Sequence, residues 1–306
     1  LSRRPIIIAL IAILVVLIGG GGFWVYRLAW APNFKPDKTV YVYIDDKKDF
    51  DDLCRQLSDS ANCLRIGSFK QLSGLLKYPA SMRTGRYAVK PGMSNLTLLN
   101  DLRRGHQVAT RVTFNNIRFK EDLAERISDQ LMFGKENLLR LLNDSVYCDS
   151  LGFTPETIHA LFIPNTYEIY WNISADKFIR RMKREYDAFW TPERLKKAEE
   201  IGLIPLQADP TVKFAVGDFS LQRILFEHLE IDSPYNTYKY AGLPPGPLRI
   251  PTIKGLNSVL NHTKHKYLYM CAKEDFSGRH NFAVTLAEHN RNANRYRAEL
   301  NRRRIR

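Results

Sequence analysis

Four stretches in the C-terminal half combine polar side chains with aromatic rings and a rigid backbone. Residues 243–247 contain three prolines, which fix φ and remove backbone donors, so this stretch can be neither a helix interior nor a central strand. Rigid loops with polar tips are where binding and catalysis concentrate. The candidate site residues are Asn165 and Tyr167 in the first stretch, Gln207, Asp209 and Thr211 in the second, Asn236, Tyr238 and Pro245 in the third, and His280, Asn281 and Phe282 in the fourth.

These residue types suit a carbohydrate. Sugar hydroxyls need hydrogen-bond partners, which Asn236, Gln207 and His280 offer. The C–H face of a sugar needs a flat apolar surface, which Tyr238 and Phe282 offer. The alternative is that residues such as Asn236 only satisfy the backbone of their own turns.

The elements that must position these loops follow from periodicity and caps. A strand is predicted at 40–44, followed by helical spacing over 46–58 and a short helix at 69–76. Strand, helix and strand follow within 85–118, where Ser94 is the predicted N-cap and Gly105 the C-terminal glycine. This small unit resembles the LysM-like module of cell-wall proteins. Further helices are predicted within 119–143, at 176–190 and at 192–202.

The four stretches together resemble the signature of the YceG-like endolytic murein transglycosylases, usually called MltG. The resemblance covers nearly the whole chain, and residues 267–269 and 273–276 are similar to Bacteroidetes members in particular. The implied fold class is α+β, with a YceG-like α/β catalytic-type domain after the smaller units. The predicted domains are an N-terminal stub and membrane helix at 1–31, a linker and small α/β unit at 32–84, the LysM-like module at 85–118, and the transglycosylase domain at 119–306.

The resemblance implies cleavage of the β-1,4 bond between N-acetylmuramic acid and N-acetylglucosamine within a glycan strand. The product carries a 1,6-anhydromuramic end, and the reaction needs neither water nor a metal or other cofactor. One carboxylic acid protonates the leaving oxygen, and its carboxylate then removes the proton of the sugar's own 6-hydroxyl. Ordinary glycosidases use two carboxylates. This single acid must begin neutral, so burial has to raise its pKa.

The family's catalytic Glu has no counterpart in this sequence. In the family it lies on a helix between the equivalents of Gly202 and Gln207, whereas here Leu203 leads almost directly into Leu206, so some forty residues are missing. The shortening is a genuine in-frame deletion, an engineered cut or an omitted stretch. A continuous chain requires Cα atoms about 3.8 Å apart there. The acids that lie near the gap or near the motifs, and that do not fit the family pattern, are Glu168, Glu199, Glu200, Asp209, Glu227, Glu230 and Asp232.

The N-terminus carries an uncharged apolar run over 5–26, preceded by Arg3 and Arg4. About 20 apolar residues span a bilayer core, and flanking Arg residues favour the cytoplasmic side. The sequence therefore predicts a single-pass anchor in the cell inner membrane, with a cytoplasmic N-terminus and the bulk of the chain periplasmic. The main alternative is a cleaved signal peptide.

Composition narrows the partners. The net charge of +14 suits an anionic partner such as lipid headgroups, an acidic wall polymer or nucleic acid. The predicted anchor and the lack of a nucleic-acid-binding motif exclude the last. The expected partners are peptidoglycan glycan strands, the cell membrane and, by resemblance, peptidoglycan synthases. The four cysteines form no CxxC pair, so no zinc site is predicted, and a bridge between Cys54 and Cys63 stays open. A catalytically inactive glycan-binding or scaffold homologue is the alternative to an active enzyme.

Overall fold

The computed structural model describes residues 3–115, 117–201, 208–240 and 242–305, with the side chains of 3–13, 16 and 201 excepted. Gln207 and the junction between Leu203 and Leu206 lie outside the described residues, so the predicted shortening stays a prediction. The chain divides into two compact units. One comprises residues up to Phe114 with Ala124–Leu139 and Thr166–Phe178, and the other comprises Asn115–Leu123, Arg140–Asn165 and Ile179–Arg306.

The fold combines many helices with three two-stranded sheets, which confirms the predicted mixed fold. The strands are β1 (Val40–Ile44), β2 (Gly85–Val89), β3 (Thr110–Thr113), β4 (Thr166–Ile169), β5 (Tyr269–Ala272) and β6 (His280–Ala283). The helices are α1 (Arg3–Ala29), α2 (Phe50–Asp59), α3 (Ile66–Leu75), α4 (Asn95–Arg104), α5 (Lys120–Ser128), α6 (Lys135–Leu142), α7 (Ser145–Asp149), α8 (Ala175–Phe189), α9 (Pro192–Ile201), α10 (Asp209–Val216), α11 (Phe226–Leu229), α12 (Ile253–Leu260) and α13 (Leu286–Arg302). Two 3-10 turns span Tyr78–Ser81 and Ile158–Leu161.

Local signals in the sequence placed several of these elements correctly. Leu53 and Leu57 lie one turn apart on α2, and both are fully buried because they form its apolar face. The Ser94 hydroxyl accepts a hydrogen bond from the Thr97 amide at the start of α4, and Gly105 ends the helix at φ 74°. That left-handed conformation is the one that favours glycine. The predicted caps of α4 are confirmed.

The strands of the segment 85–118 do not pair with each other. β2 pairs antiparallel with β1, with Tyr87 opposite Val42, and β3 pairs antiparallel with β4, with Val112 opposite Tyr167. Each strand therefore completes its ladder with a partner from outside the segment. This pairing does not support the LysM-like arrangement predicted there, and the boundaries 32–84, 85–118 and 119–306 stay predictions.

The predicted single-pass membrane anchor is wrong on this structure. Among the residues described, no helix combines the length and the apolar character that crossing a membrane requires. In α1 the exposed Leu17 and Ile18 are followed by four glycines at 19–22, and glycine adds little apolar surface. Arg27 then adds a charge near the helix end. The predicted inner-membrane localisation, with a cytoplasmic N-terminus and a periplasmic domain, is overturned by the same finding.

The second unit has buried apolar residues on both a 3-10 turn and a helix. Ile158, Leu161 and Phe162 are fully buried at the 3-10 turn that precedes the first motif. Ile179 and Met182 of α8 are also fully buried, as expected of the apolar face of an amphipathic helix.

All four cysteines are free thiols, including Cys54 and Cys63, and burial raises the pKa of Cys54 to about 11. The bridge that the sequence left open is not formed.

Candidate functional site

The second motif forms the start of α10. Pro210 lies in the first turn, where a missing backbone N–H costs nothing, and Gly217 ends the helix at φ 78°. Asp209 is the acidic residue of the first turn, a favourable position beside the positive end of the helix dipole. The sequence therefore folds this motif as a short capped helix with Asp209 exposed at its N-terminal end.

A buried hydroxyl pair joins the second motif to the third. The Thr211 and Thr237 Oγ1 atoms are 2.7 Å apart, and Thr211 Oγ1 also donates to the Ala208 carbonyl at 2.6 Å. Both threonines are almost fully buried. Because buried hydroxyls must find partners, this pair fixes the turn at 236–240 against α10. Thr211 and Asn236 were predicted as ligand contacts, but the structure buries both.

Asn236 is fully buried, and the fold itself uses its amide group. Nδ2 donates to the Leu229 carbonyl at 2.8 Å and to the Ile231 carbonyl at 2.9 Å, while Oδ1 accepts from the Tyr238 backbone N–H at 3.1 Å. Both amide hydrogens are thereby occupied. This geometry favours the alternative that the sequence left open, in which Asn236 shapes its turn.

Tyr238 and Asp209 form the exposed polar pair of this region. The Tyr238 hydroxyl donates to Asp209 Oδ1 at 2.9 Å across 29 residues of sequence. Partial burial, and then the neighbouring carboxylate charge, raise the pKa of Tyr238 to about 12. The phenol therefore stays protonated near neutrality and can serve as a hydrogen-bond donor. Two predicted site residues from different motifs are thus brought together.

Aromatic packing supports this arrangement from beneath. Tyr235 lies against Phe214 of α10 with ring centroids 4.6 Å apart, and Phe119 lies 5.7 Å from Phe214. Phe219 completes the cluster, and the Arg118 guanidinium carbon lies 4.0 Å from its ring centroid. Tyr235 is half-buried here, so it acts as part of the support rather than as a free face.

The proline loop, residues 242–247, is held against the turn at 154–161. A Cβ added to Gly246 would lie 2.5 Å from the Glu156 carbonyl oxygen and 3.2 Å from the Tyr235 hydroxyl. Only glycine allows that approach. On the outer side, Leu243 is 60% exposed and Pro245 is exposed. The predicted residue Pro245 therefore belongs to a rigid rim next to the turn that carries Tyr238.

The fourth motif lies on β6, which forms a hairpin with β5. Asn281 donates to Glu274 Oε2 at 3.1 Å, and Arg295 of α13 donates to Oε1 of the same carboxylate at 3.1 Å. Phe282 pairs across the ladder with Met270, and its ring is 5.6 Å from that of Tyr267. His280 and Phe282 are exposed, whereas Asn281 is half-buried.

The first motif is split between the two units. Asn165 is exposed at the end of a segment of the second unit, whereas Tyr167 is buried on β4 of the first. The Tyr167 ring stacks on Phe114 at 5.7 Å, which is a core contact. The antiparallel ladder between β3 and β4 holds Tyr167 in this position.

The scan against family models matched the YceG-like family over residues 42–203 and 192–295. These two matches together cover most of the chain. The chain belongs to the YceG-like family. The sequence-based recognition is confirmed. The two matches overlap at 192–203, next to the place where the sequence predicts an internal shortening.

Two relatives of this chain have names that describe an enzymatic activity. The chain is 44% identical over 108 residues to the endolytic murein transglycosylase of Bacillus subtilis, and 36% identical over 93 residues to that of Streptococcus pneumoniae. The matches cover 35% and 29% of this chain, and 28% and 17% of the relatives. This chain therefore spans less than a third of each relative in the matched region.

A solved structure is also similar. The crystal structure of a YceG-like protein from Listeria monocytogenes aligns with 83% of this chain and 99% of its own, at 23% identity and a TM-score of 0.45.

Among the described residues, no Asp or Glu side chain is buried in the way that a neutral general acid requires. In the second unit the carboxyl groups with a shifted pKa all have it lowered, namely Glu156, Asp218, Glu274, Asp275 and Glu299. Hydrogen bonds to neighbouring groups favour the ionised form in each case. Glu199 and Glu200 are exposed on α9, and Asp232 accepts a hydrogen bond from the Tyr240 hydroxyl. The remaining candidates, Glu168, Glu227 and Glu230, are exposed.

His159 is a residue of this region that the sequence did not single out. It is only 7% exposed, and its Nε2 lies 2.9 Å from the Pro247 carbonyl oxygen of the proline loop. Its sequence signal is weak, because a lone histidine between apolar residues looks like an ordinary core position. Its contact partner lies 88 residues away, which no local pattern can show.

Proposed function

We propose that this protein is an endolytic peptidoglycan lytic transglycosylase. The observation that carries the proposal is the family match over 42–203 and 192–295, together with relatives named endolytic murein transglycosylase. The substrate is then a glycan strand of peptidoglycan. The bond cleaved is the β-1,4 bond from N-acetylmuramic acid to N-acetylglucosamine, and the product is a 1,6-anhydromuramic end. Cutting nascent strands would end their elongation, and peptidoglycan synthases would be partners.

The proposed glycan groove uses the exposed members of the predicted set. The Tyr238 hydroxyl donates its one hydrogen to Asp209, so both side chains offer oxygen acceptors to sugar hydroxyls, and the rim at Pro245 supplies a rigid apolar wall. Asn165, His280 and Phe282 supply further exposed polar and aromatic groups. Thr211, Asn236 and Asn281 act as buried or half-buried supports of this surface, whereas Tyr167 belongs to the core of the first unit. Gln207 stays a predicted member.

The chemistry needs one acid in two roles. It first donates its proton to the leaving glycosidic oxygen, and the C1–O bond breaks. Its carboxylate then accepts the proton of the 6-hydroxyl as O6 bonds to C1, so no water is consumed. A pKa raised by burial is required for the first step.

The test uses purified murein sacculi. We expect incubation with the protein to release fragments with 1,6-anhydromuramic ends, which mass spectrometry distinguishes from reducing ends by the mass of one water. Heat-denatured protein is the control. Release of reducing ends alone would indicate hydrolysis, and intact sacculi would reject the enzymatic proposal for this chain.

A second candidate function is non-catalytic glycan binding. It is favoured by the sequence, in which the family's catalytic Glu has no counterpart. Co-sedimentation with sacculi measures binding independently of cleavage. Co-sedimentation without release of anhydro ends would support this function. A protein that neither co-sediments with sacculi nor releases anhydro ends would contradict it.

A further inference from the structure

The position of the hydrogen on His159 follows from its partner. Nε2 lies 2.9 Å from the Pro247 carbonyl oxygen, and a carbonyl can only accept, so Nε2 is the nitrogen that donates. Nδ1 is then a bare acceptor. It is buried, and among the described residues it has no hydrogen-bond partner. Among the described residues, the hydrogen bond to Pro247 is therefore the one hydrogen bond that the His159 ring makes.

The surroundings keep this ring neutral. Burial lowers the pKa of His159, and the Lys120 ammonium lowers it further, although the hydrogen bond to Pro247 opposes both. Lys120 itself donates to Asn143 Oδ1 and to the Pro155 carbonyl oxygen. The donor to Pro247 is therefore a neutral N–H near neutral pH.

The proline loop has few backbone donors with which to fix its position. Pro244, Pro245 and Pro247 have no backbone N–H, so the loop must be fixed through its carbonyl groups and by packing. The structure shows both kinds of contact, namely the bond from His159 to the Pro247 carbonyl and the close packing of Gly246 against the Glu156 carbonyl. Both come from the turn at 154–161.

We propose that His159 is the positioning residue of the proline loop: its Nε2–H fixes the Pro247 carbonyl so that the outward-facing Leu243 and Pro245 form one wall of the glycan groove. This rests on the proposed function for the identity of the ligand. It does not rest on that function for the effect on the loop, which can be measured without any ligand.

The test compares two substitutions. His159→Gln keeps an N–H donor that can reach the Pro247 carbonyl, whereas His159→Phe keeps a ring of similar size without a donor. His289→Phe is the matched control. His289 of α13 is also a partly buried ring, and it stacks on Tyr269 of β5 with ring centroids 5.3 Å apart.

Hydrogen exchange in the full chain is the first readout. Loss of one hydrogen bond corresponds to about a tenfold change in the opening equilibrium. The Ile250 amide follows the loop and donates to the Ile117 carbonyl oxygen at 2.9 Å, so its exchange is protected. We expect His159→Phe to speed its exchange by about tenfold, with His159→Gln and His289→Phe close to the unaltered protein. Unchanged exchange in His159→Phe would overturn the proposal, as would equal acceleration in His159→Gln.

Binding to sacculi is the second readout. We expect His159→Phe to weaken co-sedimentation by about the same factor and His159→Gln to restore it, and in a cleavage assay we expect KM to rise more than kcat falls. If the unaltered protein binds no murein, the proposed function fails while the exchange result still decides the role of His159.

A measurement on the unaltered protein covers the case in which His159→Phe does not fold. Nitrogen-15 NMR of the histidine ring distinguishes the two neutral tautomers. We expect hydrogen on Nε2 and none on Nδ1. A neutral ring with its single hydrogen on Nδ1 could not donate to Pro247 and would overturn the proposal.

Discussion

Asn236 illustrates how a polar residue in a family motif can serve the fold. Both hydrogens of its amide are donated to backbone carbonyls, and its oxygen accepts from the Tyr238 N–H. The turn that presents Tyr238 to solvent is thus built by the buried residue two positions earlier. The exposed pair Asp209 and Tyr238 is the part of the motif that a ligand can reach.

Removing the Asn236 amide should destabilise the protein. Asn236→Ala leaves the half-buried Leu229 and Ile231 carbonyls without the partner that Asn236 supplies, and such unsatisfied groups cost about 1–3 kcal/mol. We expect the free energy of unfolding in urea to fall by about 2 kcal/mol. The exposed Asn290→Ala on α13 is the control and should change it by less than about 0.5 kcal/mol. Equal effects of the two substitutions would contradict the structural role.

Tyr238 should titrate late because of burial and Asp209. Its pKa is raised to about 12 by partial burial first and by the carboxylate charge second. Asp209→Asn removes the charge but not the burial, so we expect the pKa of Tyr238 to fall and yet to stay above the ordinary value of 10. Absorbance of the phenolate against pH, with Tyr238→Phe to identify the signal, measures this. A pKa that does not change in Asp209→Asn would contradict the contact.

At the scale of elements, the proline loop packs closely against the turn at 154–161 through Gly246. Gly246→Ala would place a Cβ 2.5 Å from the Glu156 carbonyl oxygen, which is backbone and cannot rotate away. Overpacking of this kind costs about 1–3 kcal/mol, so we expect the free energy of unfolding to fall by that amount. Gly74→Ala is the control, since an added Cβ there meets nothing within 4 Å and alanine favours the helix. A neutral Gly246→Ala would show that the loop packs elsewhere.

The positions of the strands could be predicted from the sequence, but their pairing could not. The strand at 40–44 and the two strands within 85–118 were recognised from their alternating and β-branched residues. Their partners were not, because the side-chain pattern specifies which face is buried and leaves open which strand lies alongside. β2 and β3 are neighbours in sequence, yet each pairs with a strand from outside the segment that joins them.

At the scale of the whole molecule, the first unit is assembled from separated parts of the chain. Val112 and Phe114 are buried, and Phe114 stacks on Tyr167, which arrives more than fifty residues later on β4. A domain boundary at 118 would therefore separate β3 from its ladder.

Two fragments test this assembly. A fragment of residues 32–118 lacks β4, whereas 32–178 contains it. We expect the shorter fragment to unfold at a lower urea concentration and with a shallower transition, because β3 has no partner and its buried face is exposed. Circular dichroism at increasing urea measures both. Equal midpoints would favour the predicted boundary at 118 over the interleaved units.

The sequence by itself determined the local structure and the family. Periodicity, caps and turn residues specify φ and ψ over a few neighbouring residues, which was enough for β1, α2 and the caps of α4, and the four motifs were enough for the YceG-like family. Only the tertiary structure decided the burial of Asn236, the contact of Tyr238 with Asp209 and the bond from His159 to Pro247. These depend on groups 29 and 88 residues apart, and such contacts arise from packing of the whole unit rather than from any local pattern.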